Sequence, residues 1–84
     1  MSSYKLELYF FYGCPYCHRV LSVIKKLNIE DKVTLKDIRK DKDALKKLMS
    51  DTGRKTVPCL YINDKPMHES ADIMAWLESN KASI

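Results

Sequence analysis

The order of its apolar segments is the feature that most constrains the fold of this chain. A short apolar segment, KLELYFF at Lys5–Phe11, is followed after Gly13 by an amphipathic segment from Pro15 to Leu27. The first has the length and side chains of a buried strand, and the second repeats apolar residues at intervals of three and four, as helices do. A strand that leads directly into a helix predicts a β-α-β unit, in which the next strand pairs in parallel with the first.

The same alternation continues to the end of the chain. It predicts an order βαβαββα, in which the last two strands form a hairpin. The expected fold class is α/β, an open four-stranded mixed sheet with three helices that cover both faces. The further strands are predicted at Lys32–Ile38, at Cys59–Asn63 and near Pro66 and Met67, and the further helices at Lys42–Ser50 and, with Ser70 as its cap, at Ala71–Asn80.

Apolar spacing also predicts which side chains face the sheet. In the third strand, Leu60 and Ile62 are expected on one face and Cys59 and Tyr61 on the other. We expect Cys59 to be partly exposed, with an inert buried thiol as the alternative. It should have the acidity of an ordinary thiol and take no part in catalysis. The helices are expected to bury Leu45, Leu48 and Met49 from the second one and Ile73, Trp76 and Leu77 from the last one.

Three cysteines in a chain of 84 residues limit the class of protein. One small domain, residues 1–84, accounts for the length, and small secreted domains usually contain several disulfides. Three cysteines cannot all pair within one chain, so we expect a reducing compartment, the cytoplasm. The apolar stretch from Leu8 to Tyr12 is too short to span a membrane or to form the core of a secretion signal. A soluble cytoplasmic protein without a membrane partner is expected.

The charge pattern argues against a nucleic-acid partner. The net charge is +4, from 15 Lys and Arg against 11 Asp and Glu, and much of the excess lies in KDIRKDKDALKK at Lys36–Lys47. Acidic residues alternate with the basic ones there, and no aromatic residue that could stack on a base lies among them. The segment predicts a solvated helix and the loop before it. Its mildly positive field would favour small anionic ligands.

Two of the cysteines, Cys14 and Cys17, lie where the first strand is predicted to meet the first helix. Cys14 would be the N-cap of that helix, where free N–H groups and the helix dipole favour a thiolate over a thiol. Cys17 lies one turn further and can form or resolve a disulfide with Cys14. A Cys-x-x-Cys pair near a β-α-β pattern in a cytosolic chain is typical of redox proteins.

The Cys14–Cys17 pair could also form a structural disulfide or part of a zinc site. A structural disulfide is disfavoured in a reducing compartment. A zinc site needs two further ligands, for which only Cys59, His18 and His68 are available, and no second Cys-x-x-Cys exists. We therefore expect no metal, and we expect both histidines to be exposed and without a role.

Two later motifs fit a thiol-redox site. TVP places Val57 and Pro58 at the start of the third strand, and HESADI places Glu69, Ser70 and Asp72 at the start of the last helix. A helix N-terminus with a hydroxyl group binds carboxylates, and adjacent acids bind ammonium groups. Together they would fit an amino-acid zwitterion, although a capped helix start would look the same.

CPYC, TVP and ESADI at these spacings resemble a glutaredoxin over essentially the whole chain. The resemblance implies a thioredoxin-like fold and glutathione as the ligand and co-substrate. It also implies that Cys14 is the nucleophile and that Cys17 resolves the mixed disulfide. For glutathione it implies that Tyr16 packs on the tripeptide, that Val57 pairs with its cysteinyl backbone before a cis Pro58, and that the γ-glutamyl end lies at Glu69, Ser70 and Asp72.

The chain departs from the glutaredoxin pattern at two places. Glu69 and Ser70 stand where glutaredoxins typically have two glycines, and this Glu-Ser pair resembles the N-terminal domain of glutathione transferases. Phe11 stands where most glutaredoxins have a Lys or Arg that binds the glycyl carboxylate, and Arg54 and Lys55 are the candidates to replace it. A transferase also needs an all-helical second domain, for which we expect no room in 84 residues.

The expected function is that of a monomeric, glutathione-dependent thiol–disulfide oxidoreductase. Its partners would be glutathione and proteins that are glutathionylated or contain disulfides. The alternative is a module that binds a [2Fe–2S] cluster between two subunits through the first cysteine and glutathione, which Pro15 disfavours because it stiffens the loop. A thioredoxin is a third reading, but thioredoxins usually carry Gly-Pro between their cysteines.

Overall fold

The structure, a computed structural model, describes residues 4–84, and residues 1–3 of the predicted domain lie outside the described residues. The regular elements follow the predicted order. Short 3-10 turns follow the first and last helices, at Glu30–Lys32 and Lys81–Ser83. The strands are β1 (Leu6–Phe10), β2 (Val33–Asp37), β3 (Cys59–Ile62) and β4 (Lys65–Met67), and the helices are α1 (Pro15–Lys26), α2 (Lys42–Thr52) and α3 (Ser70–Asn80).

The strands form one mixed sheet in the order β2-β1-β3-β4. β1 pairs in parallel with β2 and antiparallel with β3, and β3 pairs antiparallel with β4. The predicted fold class, a four-stranded mixed sheet with three helices, is therefore confirmed. Because β3 is antiparallel to β1, its first residue, Cys59, lies opposite Tyr9 near the end of β1. The end of β1, the end of β2 and the start of β3 consequently meet at one edge of the sheet.

The two faces of the sheet bury separate hydrophobic clusters. Leu8 and Phe10 of β1 face α1 and α3, whereas Tyr9 faces α2 on the opposite side. This is the alternation that a strand imposes on successive side chains, and it confirms the prediction for β3. The α1–α3 face holds Leu60, Val20, Ile24, Ile73 and Leu77, and the α2 face holds Cys59, Tyr61, Ala44 and Leu48.

The buried side of α2 differs from the prediction at one position. Leu48 is fully buried and Leu45 is half-buried, but Met49 is 38% exposed and Ala44 takes its place against the sheet. The helix begins after Asp41, whose carboxylate accepts hydrogen bonds from the N–H groups of Asp43 and Ala44. A small side chain at position 44 lets the helix approach the sheet, and Met49 is left at the solvent boundary.

The last helix places Ile73 and Leu77 in the core and leaves Trp76 half-buried, with its ring edge-on to Tyr4 at 5.0 Å. Both buried residues face α1, and this packing fixes the start of α3 beside the sheet edge described above. Within residues 4–84, no helix is both long enough and apolar enough to cross a membrane.

Candidate active site

Cys14 lies at the N-terminus of α1, directly after the tight turn that follows β1. Its backbone N–H donates to the carbonyl oxygen of Phe11 at 3.2 Å, which closes the turn. Its Sγ accepts a hydrogen bond from the N–H of Cys17 at 3.4 Å, as predicted for an N-cap cysteine. Pro15 occupies the first helical position, where the missing N–H leaves no carbonyl without its partner. The Cys14 thiol is therefore held at the positive end of the helix.

Cys17 lies one turn further and is completely buried among the side chains between α1 and the sheet. Burial, and to a smaller extent the hydrogen bond to Cys14, raises the pKa of its thiol to about 12. Cys14 keeps 7% of its surface exposed, and both residues are free thiols in this structure. Of the two, Cys14 is the one that an incoming disulfide can reach, which agrees with the order of roles implied by the resemblance.

The segment before β3 faces the cysteines. The peptide bond between Val57 and Pro58 is cis, as the resemblance implied. The carbonyl oxygen of Val57 lies 3.9 Å from Cys14 Sγ, within range of a weak S–H···O hydrogen bond. Pro58 is buried, whereas Val57 is half-buried beside the thiol. The carbonyl group of Val57 therefore faces the Cys14 thiol.

A cleft of about 390 Å³ opens beside this segment. This volume lies in the range of about 300–1,000 Å³ that small-molecule sites usually have. Of the residues predicted to bind glutathione, only Asp72 is outside its wall, since it lies exposed on the first turn of α3. Thr56, which the site prediction did not include, also contributes. The wall is formed by Tyr16, Thr56, Val57, Pro58, Glu69 and Ser70.

The start of α3 differs from the prediction that Ser70 is its cap. Ser70 is the first helical residue and Glu69 is the cap, without a side-chain hydrogen bond to the helix. Glu69 has φ of 71° and ψ of 112°, a conformation that residues with a Cβ rarely adopt. Because Glu69 occupies the cap position, Ser70 is the first residue of α3, and its side chain lines the cleft.

Phe11, which stands where most glutaredoxins have a Lys or Arg, packs against the guanidinium group of Arg39. The Arg39 guanidinium carbon lies 4.3 Å from the centre of the Phe11 ring. The sequence did not indicate this contact, because Arg39 follows β2 and reaches the site only through the pairing of β2 with β1. Arg54 and Lys55 are exposed just before the cleft residue Thr56, and their suggested role stays a prediction.

The two histidines differ from each other. His18 is exposed as predicted, and its Nε2 donates to the carbonyl oxygen of Tyr12. His68 was predicted to be exposed, which is wrong, because the fold places it between β4 and α3. It is half-buried, and neither ring nitrogen has a hydrogen-bond partner among the described residues. Burial lowers the pKa of His68, and the positive charge of Arg54 lowers it further.

The predicted partial exposure of Cys59 is also wrong. Cys59 is completely buried on the α2 face of the sheet, whereas Cys14 and Cys17 lie on the α1–α3 face. Burial raises the pKa of its thiol to about 11, which corrects the expectation of an ordinary thiol. Within residues 4–84, no three His, Cys, Asp or Glu side chains gather into a group that could hold a metal ion.

Comparisons with known proteins identify relatives of this chain in sequence and in fold. The family model of the glutathione S-transferase N-terminal domain matches residues 8–83. Glutaredoxin-C4 of Arabidopsis thaliana is 32% identical over 82 residues, which are 96% of this chain and 61% of the relative. The chloroplastic glutaredoxin-C4 of Oryza sativa subsp. japonica is 35% identical over 63 residues, 74% of this chain and 47% of the relative. The chain thus spans about half the length of the curated relatives it matches.

Solved structures show the same fold at lower identity. A Tau class glutathione S-transferase from mango superposes with a TM-score of 0.68 at 24% identity, over 94% of this chain and 35% of the transferase. The holo form of glutaredoxin C1 from poplar (Populus tremula x tremuloides) superposes with a TM-score of 0.69 at 21% identity, over 96% and 81% of the two chains. The chain therefore belongs to the family of the glutathione S-transferase N-terminal domain, which has a thioredoxin-like fold. The curated relatives that it matches are glutaredoxins.

Proposed function

We propose that this protein is a glutathione-dependent thiol–disulfide oxidoreductase that reduces protein–glutathione mixed disulfides and protein disulfides. One observation carries the proposal: the Cys14 thiol, at the N-terminus of α1, lies 3.9 Å from the carbonyl oxygen of Val57, a residue of the cleft wall. A nucleophile that is held by a helix N-terminus beside a ligand cleft has both parts that the reaction needs. The glutaredoxin relatives support the same chemistry.

The first step transfers a glutathionyl group. The Cys14 thiolate attacks the glutathione sulfur of the mixed disulfide, a new bond forms between Cys14 and that sulfur, and the protein sulfur leaves as a thiolate. The N–H of Cys17, which points at Cys14 Sγ from 3.4 Å, stabilises negative charge on the attacking sulfur. The leaving thiolate takes a proton from solvent. Cys14 is thereby oxidised to a mixed disulfide, and the target thiol is reduced.

The second step restores Cys14. The thiolate of a second glutathione attacks the sulfur of the bound glutathionyl group, glutathione disulfide forms, and Cys14 leaves as a thiolate. For a protein disulfide, Cys14 attacks one sulfur and the other sulfur leaves as a thiolate. The Cys17 thiol, after losing its proton to solvent, attacks Cys14 Sγ, forms a Cys14–Cys17 disulfide and releases the reduced target. Two glutathione molecules then reduce this disulfide and leave as glutathione disulfide. Because Cys17 is buried with a raised pKa, it reacts only with a partner already held at Cys14.

The cleft is the proposed site of the glutathionyl group. Tyr16, which is 56% exposed, would pack against the tripeptide, and the Val57 backbone and Pro58 would hold its cysteinyl part next to Cys14. The hydroxyl of Ser70 and the first N–H groups of α3 would bind the γ-glutamyl carboxylate, while Glu69 and Asp72 would attract its ammonium group. We further propose that the protein acts as a monomer in the cytoplasm.

Turnover of the mixed disulfide of cysteine and glutathione tests this function, with glutathione and glutathione reductase as the coupled system. The wild type should consume NADPH, and Cys14→Ser should be inactive because no other thiol lies at the cleft. Cys59→Ser is the matched control, because it also removes one thiol but on the opposite face of the sheet. An active Cys14→Ser protein would contradict the proposal.

The cluster-binding alternative is tested on the same preparation. It expects visible absorbance from a [2Fe–2S] cluster after anaerobic purification with glutathione, together with a dimer on gel filtration. The glutaredoxin relatives do not favour it over the oxidoreductase, so we propose the enzyme.

A further inference from the structure

Three cationic side chains each lie over an aromatic ring. The rings belong to the segment around Cys14, and the cations come from α1 and from the loop between β2 and α2. We call the cations Arg19, Arg39 and Lys40 the basic rim. The pairs are Arg39 over Phe11, with the guanidinium carbon 4.3 Å from the ring centre, Lys40 over Tyr12, with Nζ at 5.7 Å, and Arg19 over Tyr16, at 5.5 Å.

The sheet topology explains why the basic rim lies beside the nucleophile. β1 and β2 are parallel, so the loop after β2 meets the loop after β1 at the same edge. The N–H of Ile38 donates to the carbonyl oxygen of Phe10 at 2.9 Å and joins the two chains where the loops begin. Arg39 and Lys40 follow directly. Their position is therefore fixed by the fold and not by flexible chain.

The charges of the basic rim are not neutralised within residues 4–84, where none of its three side chains forms an ion pair. The nearest acids in sequence are bound to backbone groups: Asp37 accepts from the N–H of Arg39, and Asp41 caps α2. Lys26, further along α1, does form an ion pair, with Glu78 at 3.6 Å. The rim is thus an uncompensated positive surface in which the aromatic rings hold the cations in place.

Two members of the basic rim, Arg39 and Lys40, follow β2, whereas Arg19 lies over Tyr16 in the wall of the glutathione cleft. β1 is between β2 and β3 in the sheet, so the loop after β2 flanks Cys14 on one side and the segment Val57–Pro58 flanks it on the other. The cleft side contains the acidic residues Glu69 and Asp72. A mixed disulfide has two halves, and when its glutathione half occupies the cleft, the polypeptide half lies outside the cleft in the positive field of the basic rim.

We propose that the basic rim binds the polypeptide half of the substrate and selects reactive cysteines that are flanked by Asp or Glu. The inference rests on the proposed function and adds the chemical class of the protein partner. The exposed face of Tyr12, which is 56% exposed, supplies apolar contact area beside the charges. Opposite charges at such a surface accelerate encounter, and the effect weakens with salt because the screening length is about 8 Å at physiological ionic strength.

Two glutathionylated peptides of equal length test the selection, one with acidic residues and one with basic residues on both sides of the cysteine. We expect the wild type to show a kcat/KM about tenfold higher for the acidic peptide at low salt, within the range that electrostatic steering produces. In the triple variant Arg19→Gln, Arg39→Gln, Lys40→Gln this ratio should approach one. Lys32→Gln is the matched control, since Lys32 is exposed at the opposite edge of the sheet, at the start of β2, and should keep the wild-type ratio.

Equal turnover of the two peptides by the wild type would overturn the inference, and so would a triple variant that keeps the full preference. Binding measured by fluorescence anisotropy, with Ser in place of the peptide cysteine, separates it from the proposed function. If cysteine–glutathione is not turned over but the acidic peptide still binds through the rim, the function is wrong and the binding surface stands. Tighter binding of single-stranded DNA of the same net charge would overturn the acidic-peptide assignment.

Discussion

The Cys14 thiol lies 3.9 Å from the carbonyl oxygen of Val57, a residue 43 positions away in the chain. The antiparallel pairing of β1 with β3 brings them together, because Tyr9 lies opposite Cys59 and the segments that follow β1 and precede β3 must then meet. Cys14 and the wall of the cleft are therefore positioned by the same hydrogen-bonded strands.

Two substrates distinguish the proposed roles of Cys14 and Cys17. Cys17→Ser should keep the turnover of cysteine–glutathione, because a second glutathione resolves that intermediate, but it should lose the reduction of a protein disulfide. Both rates are measured with glutathione and glutathione reductase, with a disulfide-bonded peptide as the second substrate. The prediction fails if Cys17→Ser reduces the peptide disulfide at the wild-type rate.

The raised pKa values of the buried thiols predict how stability depends on pH. In the folded protein Cys17 and Cys59 titrate near 12 and 11, whereas in the unfolded chain they lose their protons near an ordinary value of about 8.5. Above that pH the unfolded state binds fewer protons than the folded state, so the free energy of unfolding falls as pH rises. The contribution is complete below about pH 8.5 and is lost progressively up to the folded pKa values.

Urea unfolding at pH 7.5 and at pH 10 measures this loss. The wild type contains all titrating groups, so the informative quantity is the difference between the wild type and Cys59→Ala. The variant should lose less free energy of unfolding than the wild type between the two pH values. An equal loss in both proteins would show that Cys59 is not protonated in the folded state at pH 10.

Ser70 should contribute to the affinity for glutathione. It is half-buried in the wall of the cleft at the first position of α3, where its hydroxyl can donate to a carboxylate. Hydrogen bonds to charged groups are worth about 1.5–3 kcal/mol, so Ser70→Ala should raise the KM for glutathione at least several-fold with little change in thermal stability. Ser79→Ala, an exposed change in the same helix, is the control. If Ser70→Ala shows wild-type kinetics, Ser70 does not contribute to glutathione binding and has only a structural role.

Cys59 should be chemically silent in the folded protein. It is completely buried, so it should not react with iodoacetamide under native conditions and should not link two molecules under oxidation. Cys59→Ser should leave both turnover and oxidative dimers unchanged, and it should lower the free energy of unfolding by about 1–3 kcal/mol because a hydroxyl is buried. Mass spectrometry after alkylation checks the first point, and modified Cys59 in the native protein would contradict it.

The sequence predicted the elements better than their contacts. Local spacing was sufficient for the order βαβαββα and for the N-cap role of Cys14, because both depend on neighbouring residues. The contact of Arg39 with Phe11 depends on strand pairing between distant segments, so no local pattern could indicate it. The choice of Ala44 over Met49 for the buried side of α2 depends on the rotation of the helix about its axis, which its capping residue and the sheet set together.

The backbone of Glu69 sets two properties of this protein against each other. At φ of 71° a Cβ is unfavourable and glycine is not, so Glu69→Gly should relieve strain and raise the free energy of unfolding by about 1 kcal/mol. The same change removes a carboxylate from the cleft wall and should raise the KM for glutathione. Glu69→Ala, which loses the carboxylate but keeps the Cβ, should weaken glutathione without the gain in stability. One substitution is thus expected to stabilise the fold and to weaken glutathione binding. We infer that the strained backbone at Glu69 is retained because it places a carboxylate at the proposed glutathione site.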